Sequence, residues 1–152
     1  MESFSTAHVL VVAHRTAATP ALLEAVRERA DRGPAHFHLL VPNPAQADWH
    51  PLHAERYREE KLIDGEAVLA LALPLLEEAA GDRVEGSRSI RHDPMDAIED
   101  ALRSEHFDEI ILSTLPRSVS RWLHIDLPRR VEHLGLPVTT VIARDRLPAD
   151  RA

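Results

Sequence analysis

The sequence predicts an α/β fold, an open parallel sheet of five strands with helices on both faces, and three observations carry that expectation. Short apolar runs rich in β-branched residues recur along the chain, the first at residues 9–12. Unbroken runs of this kind are what a strand covered on both faces requires. Between them lie segments with apolar residues at helical spacing, such as Leu22, Val26 and Ala30, the mark of a helix with one buried face. Strand-like and helix-like segments alternate, and right-handed crossovers turn such alternation into parallel pairing.

Taken in order, the strand at residues 9–12 ends in Ala13-His14-Arg15-Thr16. Thr19 and Pro20 have the chemistry of a helix cap and first turn, and Gly33-Pro34 closes that helix. A second strand over residues 36–41 runs into a long polar connection carrying Trp49, Pro51 and His53, of the length used by lids and flaps. Residues 54–80 read as helical, with Leu69, Leu73 and Leu76 on one stripe and with Gly65 and Pro74 as points of bending or breakage. Residues 84–91 alternate as a half-exposed edge strand, Val84 and Ile90 on one side and Glu85, Ser87, Ser89 and Arg91 on the other. Asp93-Pro94 opens a further helix with Asp96 in its first turn and Ile98, Ala101 and Leu102 facing inward. Asp108 leads into a core strand at residues 110–112, followed by a polar, arginine-containing connection over 113–125. Asp126 and Pro128 begin a last helix that ends at Gly135, residues 138–143 form the final strand, and the tail from Arg144 frays.

A chain of 152 residues is sized for a single domain that buries one core without disulfide or metal. Its net charge of -7 and lack of a basic block disfavour nucleic acid as a partner, because phosphate backbones are held by dense positive surface. The absence of cysteine removes thiol catalysis and thiolate metal sites. No apolar run approaches the roughly 18 residues that cross a membrane. The first six residues are polar and lack a leader pattern, which together predict a cytoplasmic protein.

Three short stretches carry a family resemblance. His92-Asp93-Pro94 followed by Ala97-Ile98, Asp108-Glu109-Ile110-Ile111-Leu112, and Leu136-Pro137-Val138 resemble the Gly-Asp-Pro, Asp-Leu-Ile-Val-Met and Cys-Pro-Val stretches of the universal stress protein family. The resemblance runs from Val9 to Ala143. It implies a Rossmann-like architecture of the adenine nucleotide alpha hydrolase-like kind, a stress-related or regulatory role, and a homodimer whose contact is the last strand, Val138 to Ile142. ATP-binding members of the family carry an Asp after the first strand and a late motif of Gly, two residues, Gly, nine residues, Gly and Ser or Thr. Here His14 stands in place of that Asp, and the motif positions fall on Ser113, Pro116, Asp126 and Leu127, so all three glycines and the final hydroxyl are replaced.

Those replacements change the chemistry available to a phosphate. Glycines let backbone N–H groups close on phosphate oxygens, and a helix start adds unpaired donors; Pro116 has no N–H to give. Asp126, as the cap of the last helix, would set a carboxylate on the donors a phosphate uses, and a misplaced unit charge at about 4 Å costs on the order of 1–4 kcal/mol. Side chains offer another cradle. His14, Arg15 and Thr16 after the first strand, Val41 after the second, and Ser113, Thr114, Arg117, Ser118, Ser120 and Arg121 after the fourth all fall where such sheets bind ligands. Guanidinium forks and hydroxyls there would hold a small anionic ligand. The competing reading has the arginines solvated or paired with Asp126, Trp122 packing the loop, and the crevice vestigial. An adenine nucleotide, ATP or AMP, held by a remodelled phosphate loop is the alternative.

Catalysis is the weaker class. His36 with His38, and His50 with His53, lack a third ligand in sequence, and zinc needs three or four. Glu59-Glu60 and Glu77-Glu78 read as solvated helix faces. Ser113 and Ser120 lack the glycine pattern of a nucleophile elbow. No His-x-Gly-His or Ser-Gly-Gly-x-Asp-Ser stretch appears, and His14-Arg15 is opposite in charge to the acidic strand end of a receiver domain.

Overall fold

A computed structural model of the chain describes residues 6–14, 16–42, 65–91, 93–116 and 120–143. Its strands are β1 (Ala7–Val12), β2 (Ala35–Val41), β3 (Glu85–Arg88), β4 (Glu109–Thr114) and β5 (Val138–Ile142). They form one sheet in the order β3-β2-β1-β4-β5 with every pairing parallel. The helices are α1 (Pro20–Asp31), α2 (Gly65–Ala80), α3 (Pro94–Ser104), α4 (Arg121–His124) and α5 (Leu127–Glu132). This is the expected α/β architecture. None of the described helices is long and apolar enough to cross a membrane.

The core follows from β1. Alternate residues of a strand face opposite sides, so Val9 and Val11 join Phe37, Leu39, Leu22, Val26 and Leu76 under α1 and α2. Leu10 and Val12 join Ile98, Leu112, Trp122, Leu127 and Val131 under α3, α4 and α5. The amino ends of β1 and β4 are tied reciprocally. Asp108 N–H donates to His8 O at 2.7 Å, and the Asp108 carboxylate accepts the His8 N–H at 2.8 Å. Beside them the Arg29 guanidinium of α1 grips both Glu109 oxygens at 2.9 Å in a largely enclosed fork.

Several local expectations are met. Asp93 caps α3 by accepting the Met95 N–H at 2.9 Å, with Pro94 in the first turn. Leu76 is buried and Leu69 and Leu73 pack beside it. Three readings need correction. Thr19 precedes α1 without a side-chain cap bond, its hydroxyl donating instead to Thr16 O at 2.9 Å. Pro74 lies inside α2, which continues to Ala80, and Gly65, the other expected break point, is its first residue, the segment before it lying outside the described residues. The edge strand is only Glu85–Arg88, with Val84 buried before it and Ile90, 82% exposed, beyond it. Its Gly86 is a close approach, since a Cβ there would stand 2.6 Å from Leu69 Cδ2; the strand takes α2 in place of a side chain. Finally, the 113–125 connection contains α4, and the last helix stops at Glu132. The proposed lid, with Trp49, Pro51, His50 and His53, and the polar tail lie outside the described residues.

This architecture alters the acidity of Asp108. The His8 backbone N–H, then the His106 ring at 2.8 Å, stabilise its ionised form and hold its pKa below the ordinary carboxylate value near 3.8. A depressed carboxylate pKa adds stability that is complete above the ordinary value and is lost as pH falls through the lowered one. Urea midpoints measured from pH 5 to pH 2 are therefore expected to fall less steeply below about pH 4 in Asp108→Asn than in the parent, the variant starting lower.

Candidate functional site

In a sheet of this order the chain leaves β1 toward β2 and β3 on one side, while β4 and β5 lie on the other. The carboxyl ends of β1 and β4 thus bound the crevice where the order reverses, the place at which open α/β sheets take ligands. The turn after β1 brings His14 and Thr16 there, and β4 ends in Ser113 and Thr114. All four are polar and buried, as is Ser120; the largest exposure among them is 3%, at His14.

One contact joins the two turns. Thr16 Oγ1 and Ser113 Oγ lie 2.6 Å apart, a buried bond between hydroxyls. Next to Ser113, Thr114 accepts the Ala143 N–H through its carbonyl, which leaves its Oγ1 enclosed and without a hydrogen-bond partner among the described residues. A buried hydroxyl in that state costs on the order of 1–3 kcal/mol unless something polar reaches it. Ser113's hydroxyl meets another hydroxyl and not a general base, which is a binding geometry more than a nucleophilic one.

The remaining sequence-predicted residues divide into three groups. Val41 is fully buried at the end of β2, and its carbonyl accepts the Ser89 N–H at 2.9 Å. Ser120 is committed to α4, its Oγ accepting the Leu123 N–H at 3.0 Å and its N–H donating to Pro116 O. Arg121 is the first residue of that helix and half-buried. Arg15, Arg117 and Ser118 lie outside the described residues. Trp122, expected to pack the loop onto the body, is completely enclosed.

Asp126 departs from expectation. It precedes α5 with φ 59° and ψ 37°, a left-handed conformation, and its carboxylate makes no cap bond. A cap side chain reaches the helix donors from extended backbone, and here the carboxylate lies instead 3.6 Å from Arg129 Nη1. The position that the resemblance assigns to a glycine is therefore one where the chain takes a glycine-like conformation. Sequence reasoning missed this, and it missed α4, whose signal is Ser120 set before Trp122 and Leu123.

It also judged His36 and His38 to lack a third ligand. Parallel pairing of β2 with β3, and the end of α3, bring Glu85 and Glu105 to His38 at the opposite end of the sheet.

No protein-family model matches the sequence, and no curated protein is significantly similar to it. Solved structures do share its fold. One is a universal stress protein from Archaeoglobus fulgidus, with a TM-score of 0.57 and 15% identity over 91% of this chain and 94% of that one. Another is the universal stress protein from the same organism in complex with dAMP, with a TM-score of 0.53 and 15% identity over 91% of this chain and 99% of that one. The chain has the universal stress protein fold, as its motifs led one to expect.

Asp126 offers a direct check on the site's backbone. A β-branched residue strains left-handed backbone by about 1–2 kcal/mol, whereas glycine adopts it freely. Asp126→Val is expected to lower the unfolding free energy by about that amount in urea titration, and Asp126→Gly to leave it unchanged or raise it.

Proposed function

We propose that the chain is a non-catalytic, stress-protein-like module that binds a small anionic ligand, an adenine nucleotide, in the crevice at the ends of β1 and β4. The observation that carries this reading is the pair of enclosed hydroxyls at the two strand ends, Thr16 and Ser113 bonded at 2.6 Å; on the other face of β4, Thr114 Oγ1 is enclosed too and has no partner among the described residues. Further support comes from the dAMP complex of a protein with the same fold. Recognition of the anion falls to side chains, because Pro116 has no N–H and α5, six residues long, offers little dipole. His14 and Thr16, with Arg15, Arg117, Ser118 and Arg121, complete the cradle in this reading.

A vestigial crevice is the second reading, favoured by the replacement of all three motif glycines and by Pro116, which has no N–H to offer a phosphate. The two are separated by mass spectrometry of small molecules released when freshly purified protein is denatured, followed by calorimetric titration with AMP and ATP. The binding reading expects an adenine nucleotide in the released material and a roughly tenfold weaker affinity in Thr114→Val, the loss of one hydrogen bond. Nothing released and no heat with either nucleotide would establish the vestigial one.

The same reading includes a homodimer through Val138–Ile142. β5 lies at the edge of the sheet, with no described strand on its outer side and Ile142 48% exposed. Light scattering across a range of concentrations is expected to give twice the chain mass; a monomer mass throughout would dismiss this contact.

A further inference from the structure

The far end of the sheet carries a second concentration of chemistry. β2 presents His36 and His38 on the face that packs α3, and the register sets His38 beside Glu85 of β3. The C-terminal boundary of α3 is Glu105. One nitrogen of His38 and one carboxylate oxygen each from Glu85 and Glu105 lie within 4.8 Å of one another.

Four features distinguish this cluster from solvated charges that happen to be neighbours. First, His38 Nε2 bonds Ser87 Oγ at 2.8 Å, while its Nδ1 is enclosed and lacks a hydrogen-bond partner among the described residues. The tautomer in which Nε2 donates to Ser87 turns the Nδ1 lone pair toward Glu85 Oε1, 3.6 Å away, and that tautomer with its outer hydrogen bond is the one a metal-ligating histidine uses. Second, two carboxylates approach each other although Glu105 has no basic partner among the described residues; a shared cation removes that repulsion. Third, Glu105 stands at the negative pole of α3, where an acid is unfavourable by itself. Fourth, a groove of about 450 Å³, lined by His38, Ser87 and Glu105 among others, gives the cluster an entry path. The cations beside that groove are occupied elsewhere, Arg88 with Glu66 and Arg91 with Asp96 and Asp100.

The geometry points to a divalent-metal site, of zinc-like borderline character, formed by His38 Nδ1, Glu85 and Glu105. Tetrahedral ligands about 2.0–2.1 Å from zinc lie about 3.3 Å apart, so the His38–Glu85 pair is nearly in place and the exposed Glu105 closes the remaining gap. His36, 3.6 Å from the other Glu85 oxygen, steadies that carboxylate from behind. Water fills the fourth position. The bound ion pins the edge strand β3 to the end of α3, a structural clamp with an open coordination position toward the groove.

Chelator-treated full-length protein is titrated with ZnCl2 by calorimetry and with CoCl2 by visible absorption. The expected result is one ion of either metal per chain and, at a hundredfold excess of zinc over its Kd, a melting temperature raised by about 5–10 °C. His38→Ala is expected to abolish this event and Ser87→Ala to weaken it about tenfold. His38 also packs edge-on against Phe107, so Glu105→Gln, on the surface, serves as a variant that keeps the core intact; it is expected to lose at least tenfold in affinity. His133→Ala, on an exposed histidine outside the cluster, is expected to change nothing. No metal bound by the parent protein, or unchanged affinity in Glu105→Gln, would overturn the assignment.

Discussion

The described fold is arranged around β1, whose last four residues are closed off from solvent. Residues 9–12 of β1 are at most 1% exposed, with helices on both faces and a parallel neighbour along each edge. A parallel neighbour cannot be reached by a tight turn, so each pairing obliges the chain to cross over through a helix. Because β2 lies on one side and β4 on the other, the crossovers diverge at β1, and the turn after it opens into a crevice. The crevice is thus a consequence of flanking one buried strand run with a neighbour on each side.

The two ends of the sheet have opposite chemical character. At the carboxyl end, hydroxyls sit enclosed among apolar side chains, with the hydrogen bond between Thr16 and Ser113 spanning the junction. Such a setting rewards a polar visitor, because an unmet hydroxyl is costly in low dielectric. At the amino end, imidazoles and carboxylates accumulate at the margin of the sheet, where His8, His36 and His106 stack edge to face. That end resembles a coordination surface. One fold therefore keeps two kinds of polar chemistry at its two ends, apart from one another.

What the sequence disclosed, and what it concealed, follows from the range of the interactions concerned. β1, α1, α3 and β4 were legible because their signals are local: an unbroken apolar run, Pro20 at a first turn, Asp93 bonding Met95 two residues on. β3 was misread because Gly86 has meaning only once Leu69 and Leu73 of α2 lie against it. The conformation of Asp126 was hidden because it is set by how α4 hands over to α5, and α4 itself has four residues, below the length at which periodicity speaks. Of the crevice, the order of elements gave the place and the residue types, whereas the bond between Thr16 and Ser113 depends on β1 pairing with β4. The meeting of His38 with Glu85 and Glu105 needs a sheet register and a helix end, neither of which local spacing encodes.

The reciprocal bonds between His8 and Asp108 link residues 100 positions apart. A ribosome therefore releases the central strand early and its second neighbour much later. In the interval β1 can pair with β2 and be shielded by α1, yet its other edge stays bare, a template for any passing strand. Closing so long a loop is entropically demanding and slow. The strand that is best protected in the finished protein is thus the one most vulnerable while the protein is being made, and nascent chains of this fold depend on how quickly the second half arrives.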